Sequence, residues 1–312
     1  MTLRVATFNL KDFFAARRDS EKAVVEAKLS NVASGLRRAA ADIVALQEVG
    51  SLELLDRLVK ALPELAYGPP VVGSEDRRGI RNVILSRLPV VWSQVHQPTT
   101  LPFPRFVEGD PDPFPNRIPL RRGIVHVRVE ASGLGEVDVL TAHFKSNLPA
   151  ALKIADGKEV VATTPHGIGE SAVRSLVQRA AEALYVRSLV DGIFEHSPDH
   201  AICVMGDLND TLDSLPVRLV RGIDTTSKHY LRAGAELLPE EGRYSCFQRD
   251  TGLLIDHILH SERLNRAVQS AAIFNEALRD HGEFTRDAPL TEDSDHALCL
   301  VEYSCDDPLA EQ

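Results

Sequence analysis

Short apolar runs of strand length recur along this chain, and each one stops at an acid, an amide or a histidine. RVATF leads to Asn9, DIVALQ to Glu48, VDVLTA to His143, AICVMG to Asp207 and Asn209, and GLLI to Asp256 and His257. Asp295 and His296 stand immediately before ALCLVEY. Runs this short are buried strands rather than spanning helices, so the chain must build sheets whose strand ends carry polar chemistry.

The remaining pattern supplies the helices. Ser20–Ala40 carries Val24, Val25, Lys28, Leu29, Val32 and Leu36 along one side, and Ser51 caps a second helix that ends at Pro63. A third amphipathic segment is expected from about Ser171 to Phe194. Strands are expected at Leu3–Asn9, Asp42–Val49, Asn82–Ser86, Ile124–Val129, Val137–His143, Ala201–Gly206, Leu253–His260 and Ala297–Tyr303. Many strands with a few long helices outside them predict two packed sheets with helical outer layers. Residues 97–119 hold seven prolines and 149–169 are polar without periodicity, so both are expected as loops. No linker divides the chain, which reads as one domain over residues 1–305 with a short tail at 306–312.

Bulk properties narrow the partners. A formal net charge of -10 gives no general attraction to nucleic acid or anionic lipid, so a polyanion would need a local basic patch or metal ions. Cys203, Cys246, Cys299 and Cys305 lack the spacing of a zinc site and read as ordinary reduced residues. MTLRVATFNL has no basic segment followed by an apolar stretch, so a cytoplasmic location is expected and membrane attachment is not. No obligate protein partner is implied.

Taken one at a time, the polar strand ends have plain structural uses. Asn9 suits a turn, Glu48 a helix cap, Asp207 and Asn209 an Asx-turn, and His143 and His296 satisfied polar contacts. Six such ends meeting at one edge of a sandwich would instead make a site of hard oxygen ligands flanked by imidazoles. Carboxylate and amide oxygens without thiolates suit Mg2+ or Mn2+, ions that commonly engage phosphate oxygens. Hydrolysis of a phosphate ester is the natural reaction.

FNLKDF, ALQEV, RNVILSRLP, TAHFKSN, VMGDLNDTLDS, LIDHILHS and SDHALCLVEY, in that order, resemble the endonuclease/exonuclease/phosphatase superfamily. That superfamily includes deoxyribonucleases of the pancreatic type, abasic-site endonucleases, sphingomyelinases and inositol polyphosphate phosphatases. The resemblance runs from residue 3 to about 303 and implies a four-layered α/β sandwich with two central mixed or mostly antiparallel sheets flanked by helices. It implies that Asn9 and Glu48 hold the metal, with Asp295 able to approach it. By the same resemblance Asp207 orients or deprotonates the attacking water and Asn209 holds the phosphate. Asp256 fixes the catalytic His296, and His143 contacts the phosphate as a second histidine.

Substrate class is read from fewer residues. HFKS, DLNDTLDS and GRYSCFQ look closest to bacterial metal-dependent nucleases, which implies a nucleic-acid substrate, DNA in preference to RNA. Lys145, Arg81, Arg122 and Arg174 are the candidate phosphate-binding cations; surface solubility is the competing use of each. Two alternatives stay open. One is a phosphatase or phosphodiesterase acting on a small-molecule or lipid phosphate ester, with Phe103, Phe106 and Phe114 of the proline-rich loop as a contact surface; the other is a binding protein without activity.

Overall fold

The computed structural model describes residues 2–154, 158–248, 250–279 and 289–306. Of the expected tail at 306–312, residues 307–312 lie outside them. In chain order the strands are β1 (Thr2–Phe13), β2 (Ile43–Val49), β3 (Val71–Val72), β4 (Arg81–Ser86), β5 (Val90–His96), β6 (Ile124–Ala131), β7 (Gly135–His143) and β8 (Leu152–Lys153). They continue with β9 (Glu159–Val160), β10 (Ala201–Asp207), β11 (Arg232–Ala233), β12 (Cys246–Gln248), β13 (Thr251–Leu253), β14 (Asp256–His260), β15 (Val268–Phe274) and β16 (Leu298–Ser304). The α-helices are α1 (Lys22–Ala39), α2 (Leu52–Lys60), α3 (Pro165–His196), α4 (Leu215–Arg221) and α5 (Glu262–Asn265).

Two six-stranded sheets, ordered β15-β16-β1-β2-β4-β3 and β11-β14-β10-β7-β6-β5, lie face to face. Strand parity shows why. Along β2, Ile43 and Ala45 enter the core between the sheets, whereas Val44 and Leu46 enter a second core beneath α1 and α2. Along β10, Cys203 and Met205 face the other sheet, whereas Ile202 and Val204 join a third core with α3 and α4. Central strands buried on both faces need continuous apolar runs, which is what these segments supply. The layers are therefore helix, sheet, sheet, helix: a four-layered α/β sandwich with mixed sheets.

Ser51 caps α2 as expected, its Oγ accepting from the Leu54 N–H at 3.1 Å. Two expectations change. α3 starts at Pro165 rather than near Ser171, because Thr164 accepts the Gly167 N–H and Pro165 fits the first turn; the expected 149–169 loop thus ends early and also contributes β8 and β9. The strand expected over Leu253–His260 is divided into β13 and β14. β3, β5, β11 and β15, which the apolar pattern did not mark, are the sheet edges, where exposure removes the signal.

β1 and β2 are parallel, as are β7 and β10, so their C-terminal ends mark out one edge of the sandwich. Toward that edge the inter-sheet face turns polar. Thr7 donates to Gln47 Oε1 at 3.2 Å and Gln47 Nε2 donates to Thr141 Oγ1 at 3.1 Å, tying β1, β2 and β7 together across the sheets. One pleat beyond lie Asn9, His143 and Asp207.

Candidate active site

Asn9, His143, Asp207 and Asp256 share the strand parity of Val5, Val139, Met205 and Ile258, all core residues between the sheets. Each therefore extends the same inward face at the end where it opens. Asn9 Nδ2 donates to Asp207 Oδ2 at 2.9 Å, and His143 Nε2 lies 3.4 Å from the same oxygen. Asp207 and His143 are directly paired neighbours in the β7–β10 ladder. The Gly206 that precedes Asp207 has φ +141°, and a Cβ there would lie 2.0 Å from the Ala142 carbonyl oxygen. Only glycine lets the strand approach its neighbour so closely.

Glu48 reaches the site by a different route. Continuing the parity of Val44 and Leu46 would send it toward the helical layer, but its φ is +59° and the β2–β4 register shifts between Leu46 and Val49. The irregularity turns its carboxylate to the edge, where Oε2 accepts the Asp12 N–H at 2.8 Å and Oε1 stands 4.0 Å from His143 Nε2. Arg78 lies 3.6 Å from Glu48 and also pairs with Asp12. Lys11 and Asp12 also have positive φ, at +45° and +50°, so the backbone strain gathers around this corner.

His296 is fixed from several sides. Its Nδ1 lies 2.8 Å from Asp256 Oδ2, and Ser245 Oγ donates to the same oxygen at 2.7 Å. Ser294 Oγ donates to the Asn9 carbonyl at 2.6 Å and accepts the His296 N–H at 3.0 Å. His296 Nε2 then stands 4.0 Å from Asp207 Oδ2 and 3.9 Å from Asp295 Oδ1. Asp295 pairs with Lys11. Asn209, at φ +54°, donates its own N–H to Asp207 Oδ1 at 2.9 Å, and its Nδ2 donates to the Phe144 carbonyl at 3.1 Å.

The charges are set by burial and by one another. Burial, followed by the nearby Asp256, raises the Asp207 carboxyl well above the ordinary carboxylate range. Burial alone would discharge His296, but Asp256, Asp207 and Asp295 overcome it and push the imidazole up to about 10. His143 goes the other way: burial, with Arg122, His296 and Arg78 adding repulsion, holds it well below its usual value. The edge thus pairs a cationic His296 with a neutral His143.

The sequence assigned the metal to Asn9, Glu48 and Asp295. Among the described His, Cys, Asp and Glu residues, the group whose ligand atoms lie within 4.8 Å of one another is Asp207, Asp256 and His296. Crowding Asp207 against Asp256 is electrostatically unfavourable, and a divalent cation at the carboxylates would relieve it; the oxygen donors fit a hard ion. Asn9 Oδ1 accepts the Lys11 N–H and Asp295 Oδ2 pairs with the Lys11 ammonium, whereas Glu48 sits across the edge beside His143.

The candidate phosphate-binding cations have internal partners. Arg122 is buried, its Nε and Nη2 donating to the carbonyls of His143 and Phe144 at 3.1 and 2.9 Å. Arg174 donates to the Ala150 carbonyl and Ser171 Oγ, Arg81 pairs with Glu75, and Lys145 Nζ donates to Ser146 and Leu148. As placed, Arg122 holds protein backbone rather than facing the edge. Lys11, Asp12, Ser245 and Ser294 went unassigned; Lys11 and Asp12 lie in FNLKDF and Ser245 in GRYSCFQ, but serine and lysine alone give no local signal.

Solved structures with the same fold include truncated TDP2 from Caenorhabditis elegans, at 15% identity over 97% of both chains with a TM-score of 0.59. The 3'-5' exonuclease NExo from Neisseria meningitidis matches at 20% identity over 97% of this chain and 100% of its own, with a TM-score of 0.57. A protein titled endonuclease/exonuclease/phosphatase from Beutenbergia cavernae DSM 12333 matches at 19% identity over 96% of this chain and 71% of its own, with a TM-score of 0.58. No curated protein matches the chain. The model of the Endonuclease/Exonuclease/phosphatase family matches residues 6–296, which span every strand end described above, and the chain belongs to that family.

Proposed function

We propose that the protein is a divalent-metal-dependent phosphodiesterase that hydrolyses nucleic acid, DNA in preference to RNA, by direct attack of water. The carrying observation is the convergence on Asp207 Oδ2 of Asn9 at 2.9 Å, His143 at 3.4 Å and His296 at 4.0 Å, with Asp256 behind His296. A buried carboxyl of raised proton affinity beside a cationic imidazole is a base and charge-stabiliser pair suited to phosphoryl transfer. Asp207 orients the water and accepts its proton. His296, kept cationic by Asp256, offsets charge that develops on the phosphoryl oxygens. Asn209 and His143 hold the phosphate between them.

Glu48, across the edge from the crowded Asp207–Asp256 pair, is the carboxylate that would hold Mg2+ or Mn2+, and Asn9 orients Asp207. The ion, when bound, supplies Lewis-acid neutralisation of phosphate charge. One likeness supports a nucleic-acid substrate, NExo being titled a 3'-5' exonuclease, and one supports DNA: D. rerio TDP2, which matches at 16% identity with a TM-score of 0.58, was solved with a single-strand DNA product. The motifs HFKS, GDLND and SDH lead us to favour the bacterial nuclease branch.

The test is metal-dependent hydrolysis by wild type and Asp207→Asn across supercoiled DNA, single-stranded DNA, RNA, a diester reporter and soluble phosphomonoesters. Polynucleotide cleavage that requires Mg2+ or Mn2+ and is lost in the variant is the expected result. Activity confined to monoesters or the small diester would replace the nuclease with a small-molecule or lipid phosphoesterase.

A further inference from the structure

One face of α3 is polar and yet largely buried. Ser171, Arg174, Ser175, Gln178, Arg179 and Glu182 recur at helical spacing, and all but the half-buried Arg174 are shielded from solvent. An apolar stripe would be expected against a sheet. The polar one faces residues 145–150, the segment that follows His143.

The contacts run rung by rung. The Ala150 N–H donates to the Ser171 carbonyl at 3.0 Å, Ser175 Oγ to the Leu148 carbonyl at 2.7 Å, and Arg179 Nη1 to the Ser146 carbonyl at 3.2 Å. At the end nearest the site, Glu182 Oε2 accepts the Lys145 N–H at 2.7 Å, and its Oε1 accepts from Gln178 Nε2 at 2.9 Å. From the other side Arg122 grips the carbonyls of His143 and Phe144. The Phe144 carbonyl also accepts from Asn209 Nδ2, and the Phe144 N–H donates to the Asp207 carbonyl at 3.0 Å. His143 and Phe144 are thus tied both to the buried Arg122 and to the Asp207–Asn209 turn, and Lys145, next in the chain, to the buried Glu182.

We propose that Glu182 and Arg122 are positioning residues for the hydrolytic site: two buried side chains that hold the backbone of residues 143–145, Arg122 with Asp76 as its ion partner at 3.6 Å, and so set the placement of His143 and Asn209. Neither meets the reacting atoms. Both are costly to bury, since a fully buried carboxylate and guanidinium pay desolvation that a hydrophobic pair would avoid. Their return is geometric. Arg122 Nη2 and Asn209 Nδ2 share the Phe144 carbonyl as acceptor, which holds the Asn209 amide in a fixed place, and misplacing a positioned group by about 1 Å can cost about a hundredfold in rate.

This inference rests on the phosphoesterase reading of the site, and the two can fail separately. The experiment measures kcat and KM for the preferred substrate, together with the thermal midpoint, in wild type, Glu182→Leu, Glu182→Gln and Arg122→Lys with metal saturating. Glu182→Leu and Arg122→Lys are expected to lose at least about tenfold in kcat with KM within about threefold. Glu182→Gln keeps an acceptor for the Lys145 N–H and should recover to within about threefold of wild-type kcat.

Arg187→Met is the stability control, because Arg187 lies farther along α3 and holds the carbonyls of Val220, Arg221 and His229. It should lower the melting midpoint without changing kcat. If Glu182→Leu does not fold, Arg122→Lys, which keeps the buried charge but loses the two-carbonyl fork, carries the decision alone. Wild-type kcat in Arg122→Lys overturns the proposal, as does a kcat loss that Arg187→Met reproduces at equal loss of midpoint. Absence of metal-dependent hydrolysis in wild type would overturn the underlying assignment of the site instead.

Discussion

Asp256 Oδ2 lies 2.8 Å from His296 Nδ1, although 40 residues separate them, and the same oxygen accepts the Ser245 hydroxyl at 2.7 Å. The contact fixes which ring nitrogen faces Asp207 and keeps the imidazole protonated. It keeps protonated a histidine that burial alone would neutralise, at the edge where Asp207 lies.

His296→Ala should lower turnover at least about a hundredfold with magnesium saturating, in line with the contribution of a positioned acid or base. Steady-state kinetics on the preferred substrate provide the check. Turnover within about threefold of wild type would remove His296 from the chemistry.

Glu48→Gln should raise the metal concentration for half-maximal activity by about tenfold or more, while activity at saturating metal falls less. A magnesium titration of initial rates distinguishes this from a simple loss of active protein. An unchanged titration midpoint would mean that Glu48 does not hold the ion.

Gly206→Ala should destabilise the protein by at least about 2 kcal/mol, because it combines a positive φ with a collision against the β7 backbone. Chemical denaturation measures the loss. A stability equal to wild type would show that β10 can move away from β7 without penalty.

Acid stability should depend on a cluster far from the site. Asp138 is fully buried; His126, His200 and Arg128 hold its carboxyl well below the ordinary range against the opposing effect of burial. With the folded value depressed, its stabilisation is complete above the unfolded carboxylate value of about 4 and is lost as pH falls below it. Asp138→Asn should therefore cost about 3 kcal/mol or more near pH 7, and the gap to wild type should narrow below about pH 4. Melting midpoints from pH 3 to 7 test this, and a gap that stays constant would contradict it.

Much of the site was written in local sequence. Asn9, Glu48, His143, Asp207, Asn209, Asp256 and His296 all follow or adjoin apolar strand segments, and the structure brings them to one edge. The plain uses and the functional ones coincide at Asn9 and Asn209: the Lys11 N–H donates to Asn9 Oδ1 and the Asn209 N–H to Asp207 Oδ1, both Asx-turn contacts, while each amide nitrogen does further work. An Asx-turn is a way of holding such an amide still.

What the sequence by itself determined was the identity of these donors and the fact that rigid strands end in them. What only the tertiary structure decided was which way they face and what they meet. Strand parity aims Asn9, His143, Asp207 and Asp256 inward, but Glu48 arrives only through a left-handed residue and a register shift. Arg81, Arg122, Lys145 and Arg174 resemble phosphate grips as isolated cations, yet each has an internal partner. Ser245 and Glu182 become meaningful only when β14 and α3 are in place. The reason is physical: residue type and strand ends are encoded within a few neighbours, whereas a side chain's partner depends on pairing register and on packing between residues tens of positions apart.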